Sequence, residues 1–301
     1  MKISIIICTI RRASLMDTLL GQLHAQTHRD AEILIVGGQD TSRAGEYLGL
    51  RPENGLPMSY HTAPKGLAPA RNVGLRHAQG DVVCFLDDDV FIKLDFLERI
   101  TRVLAQPDME KTGGLTAFDD ANVTSPGARG HFRHWMRITP TLEPGSSTHL
   151  GRSIPFSFFQ PFTGCRFVQW LPGFCQIFRR AAIEGMEYDE EIVVEDRDFS
   201  MRVGDRWRLA ICGDIHMEHR PDPEARHSTV KQIKRASYGL GRSFRKRQRN
   251  LRDKLSAYHV LTGEFLLDVG VALLRPTLAN WQIPGARASA FLAGYRYLPK
   301  P

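Results

Sequence analysis

The chain has 301 residues, with 40 Lys and Arg against 33 Asp and Glu and a formal net charge of +7. This length suits one large α/β domain or a domain with an appendage, and a hydrophobic content of 42 % indicates a globular rather than a disordered or fibrous protein. No uninterrupted apolar run reaches the roughly 18 residues of a membrane-spanning helix. The closest candidate, Phe265–Leu274, is short and contains Asp268, so no spanning helix is predicted.

The first 118 residues alternate between strand-like and helix-like segments. Such alternation predicts a mostly parallel sheet with helices on both faces, and ligands bind such sheets at the carboxyl ends of the strands. The predicted strands are Lys2–Cys8, Ala31–Val36, Ser59–Thr62, Asp81–Leu86 and Gly114–Phe118, and the predicted helices are Leu15–Gln26, Ala68–Ala78 and Leu94–Leu104.

The pattern changes after residue 118. Residues 119–165 show little periodicity and are rich in Gly, Pro, Ser and aromatic residues, which is typical of a binding region. Strand-like periodicity returns at Phe167–Leu171, Phe174–Phe178 and Trp207–Cys212, and the chain reads as helical beyond Arg226. We therefore expect an α/β domain over 1–222, with halves at about 1–118 and 119–222, and a helical appendage over 223–301.

Five cysteines are scattered along the chain without the spacing of a metal site. Three lie inside apolar runs, so we expect small core residues in a reducing compartment. The apolar segment Ile3–Ile10 is followed by two arginines rather than by a cleavage region, which does not resemble a secretory signal. A cytoplasmic location is therefore predicted. The cysteines are Cys8, Cys84, Cys165, Cys175 and Cys212.

Three consecutive carboxylates, Asp87, Asp88 and Asp89, follow the predicted strand Asp81–Leu86. They repel each other unless a cation or a hydrogen-bonding ligand lies among them. Hard oxygen ligands suit Mg²⁺ or Mn²⁺, which commonly bridge protein carboxylates to phosphates. The alternative is a solvated loop before the next helix, because acidic residues also favour helix N-termini.

The surrounding segments resemble the family 2 glycosyltransferases, which are inverting enzymes of GT-A fold. The aspartates follow Gly66-Leu-Ala-Pro-Ala-Arg-Asn-Val-Gly-Leu75 and precede both Trp170-Leu-Pro-Gly173 and Val194-Glu-Asp-Arg-Asp-Phe-Ser-Met-Arg202. No single motif is sufficient, but several in this order make the resemblance specific over about residues 2–220. It implies a nucleotide diphosphate sugar as donor and a hydroxyl group on a carbohydrate or lipid-linked molecule as acceptor.

The resemblance also implies roles for the aspartates. The Asp-x-Asp pattern of the family falls on Asp87 and Asp89, so Asp87 is expected to face the donor ribose and Asp89 to bind Mn²⁺ or Mg²⁺. Asp88 is ambiguous between these donor-side roles. His219 lies where many relatives contact the metal or diphosphate, although His216 competes with it and either histidine can instead be a surface loop residue.

On the acceptor side, the Glu-Asp motif of the family falls on Glu195 and Asp196. The resemblance makes Asp196 the catalytic base that removes the acceptor proton, and Glu195 an acceptor-side neighbour. Asp198 and Arg202 are expected to support the motif structurally. The alternative is an acidic helix start that interacts with the helix dipole. One base facing a metal-held leaving group implies direct displacement with inversion.

Donor recognition is implied for Thr9, Arg11 and Arg71, at positions where relatives contact the nucleotide; Arg11 can instead be solvated. The chain departs from the family after its second strand, where Gly37 and Gly38 replace the usual acidic residues. Glycine has no side chain with which to contact the base, so the nucleotide is not identified.

Two further residues follow from the Trp-Leu-Pro-Gly motif. Gly173 is expected near the sugar and the acceptor. Trp170 is either a stacking platform for a sugar ring or a core residue. The pair Arg206-Trp207 superficially resembles the signature of processive synthases, but Val203 stands where that signature has glutamine. Transfer of a single sugar is therefore predicted.

Residues 231–254 hold ten basic residues and one acid, Asp253. They are expected to bind anionic lipid headgroups, with Leu261–Leu274 and Ala288–Leu298 as apolar surface that enters the interface. This would place the protein at the inner face of the plasma membrane. A solvated helical face is the alternative. No nucleic-acid partner is predicted, because aromatic residues are sparse and no nucleic-acid motif accompanies the charges.

Two other functions are alternatives to sugar transfer. A metal-dependent nucleotidyltransferase would use acids on a related sheet, but the segment after the first strand lacks a glycine-rich phosphate loop. A non-catalytic nucleotide-sugar-binding protein would not need a base such as Asp196 beside a metal ligand such as Asp89.

Overall fold

The structure is a computed structural model that describes residues 1–9, 13–38, 44–49, 51–139, 141–148, 150, 152–192, 194–221 and 229–296. The chain divides into two compact units. The sheet unit comprises Met1–Val123, Phe159–Glu190 and Glu195–Pro221, and the helical unit comprises Thr124–Phe158, Glu191–Val194 and Asp222–Pro301. The sheet unit ends at Pro221, and residues 124–158 group with the C-terminal helices rather than with the sheet.

Nine strands form one sheet in the sheet unit. They follow the order β3-β2-β1-β4-β8-β6-β9-β5, and β7 pairs with β9 outside this path. The first four are parallel, while β8 is antiparallel to both of its neighbours. The strands are β1 (Ile3–Cys8), β2 (Ala31–Gly37), β3 (Met58–Thr62), β4 (Val82–Leu86), β5 (Val90–Ile92), β6 (Thr112–Asp119), β7 (Cys165–Val168), β8 (Cys175–Arg179) and β9 (Arg208–His219).

Helices cover both faces of this sheet, as predicted. Side chains alternate along a strand, so Ile3, Ile5 and Ile7 of β1 join one core cluster, which contains α1 and α4, while Ile6 joins the other, which contains α3, α6 and α7. The prediction of an α/β sheet with helices on both faces is confirmed. The helices of this unit are α1 (Ala13–His24), α2 (Ala44–Gly49), α3 (Leu67–His77), α4 (Phe96–Leu104), α6 (Arg180–Ile183) and α7 (Glu195–Gly204).

Three strands depart clearly from the prediction. β7 covers Cys165–Val168 rather than the predicted Phe167–Leu171. β9 continues to His219, seven residues beyond the predicted end, because its pairing with β6 shifts register after Ala117 and then resumes. The short strand β5 was not predicted; it pairs antiparallel with the end of β9. As a result the histidines near the end of β9 lie on a strand and not on a loop.

Cys165 and Cys212 form a disulfide between β7 and β9. They are directly paired across the two antiparallel strands, with Cα atoms 4.1 Å apart. The expectation of unpaired cysteines is wrong for this pair, because strand register brings together residues that are 47 positions apart. Cys84 and Cys175 are buried and unpaired, as expected, and Cys8 is unpaired and partly buried.

The helical unit contains α5 (Gly127–Trp135), α8 (Thr229–Arg247), α9 (Leu251–Leu274) and α10 (Leu278–Arg296). Phe244, Phe291 and Tyr295 belong to its core cluster. Close packing of α8 on α10 requires glycine at two positions, because a Cβ atom on Gly241 or Gly294 would overlap the backbone of the facing helix. Residues 288–296 therefore use their apolar side for packing inside the unit.

Two buried carboxylates of α9, Glu264 and Asp268, form the polar interior of the helical unit. Arg133 on α5 binds Glu264 with two hydrogen bonds of 2.7 and 2.9 Å, and Arg152 also donates to it. Arg129 and Arg287 donate to Asp268 at 3.0 and 3.2 Å. These ion pairs explain why the glycine-containing segment Gly127–Trp135, which was not predicted to be helical, forms a helix: tertiary contacts override weak propensity.

Among the described helices, α9 is long and apolar enough to cross a membrane by length and composition alone. The sequence was expected to contain no such segment, because its longest candidate, Phe265–Leu274, is short and contains Asp268. In the structure both carboxylates are buried against arginines of the helical unit. Length and composition alone therefore do not show whether α9 spans a membrane or packs within the helical unit.

The ion pairs of Glu264 predict a loss of stability in acid. Burial alone would raise the pKa of Glu264, but the Arg133 hydrogen bonds and the charges of Arg152 and Arg287 lower it from 4.5 to about 2. A carboxylate with a lowered pKa stabilises the fold above its unfolded pKa. We expect up to about 3 kcal/mol of this stabilisation to be lost as the pH falls from about 4.5 towards 2.

Urea unfolding followed by far-UV circular dichroism at several pH values measures this loss. Glu264→Gln should destabilise the protein by about 3 kcal/mol at neutral pH and should flatten the acid dependence, because buried arginines lose their partner. Glu143→Gln, at an exposed position of the same unit, is the control. An acid dependence that is unchanged in Glu264→Gln contradicts the assignment.

Candidate active site

The three aspartates lie directly after β4, at the carboxyl end of a strand that is buried along its whole length. Asp88 points into the protein, where its Oδ2 atom accepts a 2.6 Å hydrogen bond from the Thr9 hydroxyl, and both residues are buried. These two predicted donor-binding residues thus bind each other. Their bond links the ends of β1 and β4 and leaves Asp87 and Asp89 as the pair that can act together.

Asp87, Asp89 and His219 form the cluster that can hold a metal ion. Each offers one ligand atom, and these atoms all lie within 4.8 Å of one another. His219 Nε2 is 3.3 Å from Asp89 Oδ1, and two neighbouring ligands of one octahedral ion lie roughly 3 Å apart. Two carboxylates and one imidazole are a donor set that suits Mn²⁺. The predicted metal residues Asp89 and His219 are thus together, and Asp87, predicted to face the ribose, joins them.

His219 is the last residue of β9, where it pairs with Val90 of β5. Its ring stacks on that of Phe174 with centroids 4.6 Å apart. His216, the competing candidate, instead forms a 3.0 Å contact with Asp120. The strand register therefore separates two histidines that sequence spacing alone leaves as alternatives.

Two residues that the sequence did not single out hold the backbone of His219. Asp119 Oδ1 accepts from the His219 backbone N–H at 3.1 Å, and Asn122 Nδ2 donates to the His219 carbonyl at 2.6 Å. Asn122 also donates to Asp119 at 2.7 Å, which joins the pair. No spacing signal reveals this Asp119–Asn122 clamp, because it depends on the parallel pairing of β6 with β9.

Arg71 connects the two halves of the site. It is buried on α3 and donates to Glu195 at 3.0 Å and to the Gly173 carbonyl at 3.0 Å, and its guanidinium lies 3.7 Å from Asp87. Burial alone would lower the pKa of Arg71, but Tyr188, Glu195 and Asp87 raise it, so that the guanidinium stays charged. Arg71 was predicted to contact the donor, and Glu195 the acceptor; in the structure they form an ion pair with each other.

The carboxyl group of Asp87 is poised for a cation. Burial raises the pKa of Asp87 from 3.8 to about 6, the positive charge of Arg71 opposes this rise, and the negative charge of Asp89 adds to it. A cation bound among these carboxylates favours their ionised forms and relieves their repulsion. The electrostatics therefore fit the group that the ligand atoms suggest.

Asp196 lies in the first turn of α7, against Gly173. A Cβ atom on Gly173 would come within 2.8 Å of Asp196 Oδ2 and 3.1 Å of Arg71 Nη2, so only glycine fits there without a shift. Gln176 of β8 donates to the Asp196 carbonyl at 2.9 Å and accepts from the buried Tyr188 hydroxyl at 2.8 Å. The predicted base and the predicted glycine are thus in contact. The expected support is also present, since Arg202 donates to Asp198 at 2.9 Å.

The remaining predicted residues are less informative. Arg11 lies outside the described residues. Trp170 is partly buried, with the Arg197 guanidinium 5.9 Å from its ring centroid. Gly37, where the family usually carries an acid, faces Tyr60 of β3: a side chain at position 37 would overlap the Tyr60 hydroxyl. A side chain at position 37 would therefore have to displace the Tyr60 hydroxyl.

Comparison with known proteins agrees with this geometry. Residues 4–186 match the family Glycosyl transferase family 2. The chain belongs to this family. It is similar to the uncharacterized glycosyltransferase YwdF of Bacillus subtilis, 31 % identical over 162 residues, which cover 50 % of this chain and 58 % of YwdF. The succinoglycan biosynthesis protein ExoM of Rhizobium meliloti is 34 % identical over 102 residues, a third of each chain. The match spans little more than half of the first of these relatives and a third of the second.

Solved structures show that this family 2 glycosyltransferase has the GT-A fold. One is the mannosyltransferase PcManGT from Pyrobaculum calidifontis in complex with GDP-Man and Mn²⁺, which is 18 % identical and superposes with a TM-score of 0.59. The superposition covers 97 % of this chain and 85 % of PcManGT. S. aureus TarS 1-349 in complex with UDP-GlcNAc superposes with a TM-score of 0.58 at 16 % identity and covers 98 % and 82 %.

The Asp119–Asn122 clamp predicts a change in metal affinity. Asp119→Ala should free the His219 backbone and weaken Mn²⁺ binding by about tenfold to a hundredfold, which is typical when groups that orient a metal ligand are removed. Isothermal titration with Mn²⁺ measures the effect. Asp120→Asn alters the adjacent acid, which contacts His216 instead, and should bind Mn²⁺ as the unaltered protein does. Equal affinities in all three proteins would show that the clamp has no such role.

Proposed function

We propose that the chain transfers a single sugar from a nucleotide diphosphate sugar to a hydroxyl acceptor, with inversion and with the help of a divalent cation. One observation carries the proposal: Arg71 contacts both Asp87, which belongs to the Asp87–Asp89–His219 cluster, and Glu195, which precedes Asp196 in the chain. In this proposal, Asp87 belongs to the leaving-group site and Glu195 adjoins the base, and Arg71 contacts both residues.

On the donor side, Asp87, Asp89 and His219 would hold Mn²⁺ or Mg²⁺. Such an ion would supply positive charge, which neutralises the negative charge that develops on the departing diphosphate. Phe174 and the Asp119–Asn122 clamp fix the ring and the backbone of His219. The protein therefore presents its ligand atoms in one arrangement, at little cost in reorganisation when the donor binds.

On the acceptor side, Asp196 removes the proton of the attacking hydroxyl. Direct displacement by the acceptor needs this base and no nucleophile from the protein. The nearby thiol of Cys8 suits that division, because burial raises its pKa to about 12 and keeps it protonated. The acceptor oxygen would form its bond to the anomeric carbon from the side of Asp196 while the bond to the diphosphate breaks on the other side, which inverts this carbon.

The substrate classes and the setting are part of the proposal. The donor is a nucleotide diphosphate sugar, the class of ligand in the PcManGT and TarS complexes. The acceptor is a carbohydrate or a lipid-linked molecule in cell-surface polysaccharide or glycolipid assembly, a setting supported by the similarity to ExoM. The protein would work without processive synthesis, in the cytoplasm at the inner face of the plasma membrane.

Asp196→Asn tests the base. The amide keeps the size of the side chain but cannot accept the proton, so turnover should fall by about a hundredfold to ten-thousandfold while donor affinity stays within about twofold. A thermal-shift panel of nucleotide sugars with Mn²⁺ first identifies a donor, and the rate of its transfer is then measured. Asp205→Asn, the same change at the exposed end beyond α7, is the control. Full turnover in Asp196→Asn would remove Asp196 as the base.

Asp89→Asn tests the metal site independently of turnover. Loss of one carboxylate from the Asp87–Asp89–His219 cluster should weaken Mn²⁺ binding at least tenfold in isothermal titration and should abolish Mn²⁺-dependent donor binding. Circular dichroism and thermal unfolding verify that the variant is folded. An unchanged Mn²⁺ affinity would refute the cluster as the metal site.

A further inference from the structure

The C-terminal helices separate their charges by sign. Residues 229–296, all within the described part of the chain, contain thirteen Lys and Arg but three carboxylates, and all three carboxylates are buried. The helical unit therefore has no exposed acid along α8, α9 and α10. Random placement of surface charge would leave some acids outside, so this separation calls for an explanation in terms of what the outer surface meets.

Each buried acid has a definite internal use. Asp253 belongs to the cap at the start of α9: its carboxylate accepts from the Arg249 backbone N–H at 2.8 Å, and its own N–H donates to Asn250 at 3.0 Å. Glu264 and Asp268 are held by arginines of α5 and α10. The three acidic side chains of α9 thus lie on its inner side, where each is hydrogen-bonded or paired with arginine. The outer side of α9 carries no acidic residue.

The outer side of α9 is apolar. Large side chains three, four and seven residues apart lie on one stripe of a helix, and Leu255 and Leu273 on this stripe are 61 % and 65 % exposed. Leu274, the last residue of α9, is 84 % exposed, Leu278 at the start of α10 is 78 % exposed, and Trp281 is half-exposed. The outer stripe of α9 consists of Leu251, Leu255, Tyr258, Phe265, Leu266 and Leu273.

Exposed cations flank this stripe. Arg252 and Lys254 lie on either side of it in the first turn of α9, and Arg245 and Arg249 precede the helix. An apolar stripe rimmed by basic residues, on a helix with buried acids, has the pattern of a helix that lies in a membrane interface. Each basic side chain near an anionic bilayer raises the partition coefficient of the protein into that bilayer about fivefold.

From this separation we infer that the outer stripe of α9 docks in the plane of an anionic lipid bilayer. The apolar side chains enter the headgroup boundary, and the cations contact acidic headgroups. Trp281, which has an apolar ring and a polar N–H, suits the interface at the far end. Glu264 and Asp268 stay inside the helical unit, so α9 lies on the membrane and does not cross it. This inference deepens the proposed membrane location but is independent of sugar transfer, since binding to vesicles requires neither donor nor metal.

The first test is co-sedimentation of the full chain with vesicles of phosphatidylcholine alone and of phosphatidylcholine with phosphatidylglycerol. We expect binding to the anionic vesicles, weaker binding to the zwitterionic ones, and a decrease with salt. Leu255→Glu with Leu266→Glu should lower the partition coefficient about tenfold or more, because apolar contact is lost and repulsion is added. Leu94→Glu, at a leucine of the sheet unit that is 58 % exposed, is the matched control and should bind as before.

A second pair of variants tests the charges without altering the apolar stripe. Arg252→Gln with Lys254→Gln should weaken binding to anionic vesicles about thirtyfold, and Lys111→Gln, at an exposed lysine of the sheet unit, should not. Binding that is equal in all variants, or absent in the unaltered protein, overturns the inference. So does a dimer in light scattering that Leu255→Glu dissociates, because the stripe would then serve a second copy of the chain.

Extraction distinguishes docking in the plane from spanning. Protein bound to anionic vesicles should be released by high salt followed by alkaline carbonate. Retention in the vesicle pellet would show that α9 crosses the bilayer and would contradict the inference. Mn²⁺ titration of the Leu255→Glu, Leu266→Glu protein should match that of the unaltered protein, so failure of the membrane inference and failure of the proposed chemistry give different results.

Discussion

The site depends on one buried cation. Arg71 lies inside the sheet unit with its guanidinium shared among Glu195, the carbonyl of Gly173 and, at longer range, Asp87. A buried charge is tolerated only when its partners satisfy it. The partners of Arg71 come from three separate segments, at the end of β4, in the loop before β8 and at the start of α7. Satisfying that one charge therefore brings together the metal-type cluster and the carboxylate of the proposed base.

Further hydrogen bonds hold in place the segments that Arg71 brings together. Asp88 binds Thr9 and anchors the turn after β4. Asn72, next to Arg71, donates to the Tyr188 carbonyl at 2.9 Å and accepts from the Tyr188 N–H at 2.7 Å. The Tyr188 hydroxyl in turn reaches Gln176, which binds the backbone of Asp196. A continuous set of hydrogen bonds thus leads from α3 to α7, and it holds the proposed base without a contact to its carboxylate.

The sequence predicted the parts of this arrangement that are local. The buried strand before Asp87, the Glu195-Asp196 pair and Gly173 are carried by short motifs. Long-range register decided the rest. Nothing in the spacing of His216 and His219 shows which of them joins Asp87 and Asp89, because that depends on a register shift in the pairing of β9 with β6. The Asp119–Asn122 clamp, the Cys165–Cys212 bond and the helix Gly127–Trp135 were not predicted for the same reason, since each depends on partners about 50 to 140 residues away.

The contact between Gly37 and Tyr60 limits which substitutions this chain can accept at position 37. A side chain at position 37 cannot be accommodated while the Tyr60 hydroxyl occupies that space. An acidic residue like those usual in the family therefore requires either a shift of the Tyr60 side chain or a smaller residue at position 60. Positions 37 and 60 are therefore coupled: a change at 37 alone creates an overlap with the Tyr60 hydroxyl, and a paired change at 60 relieves it.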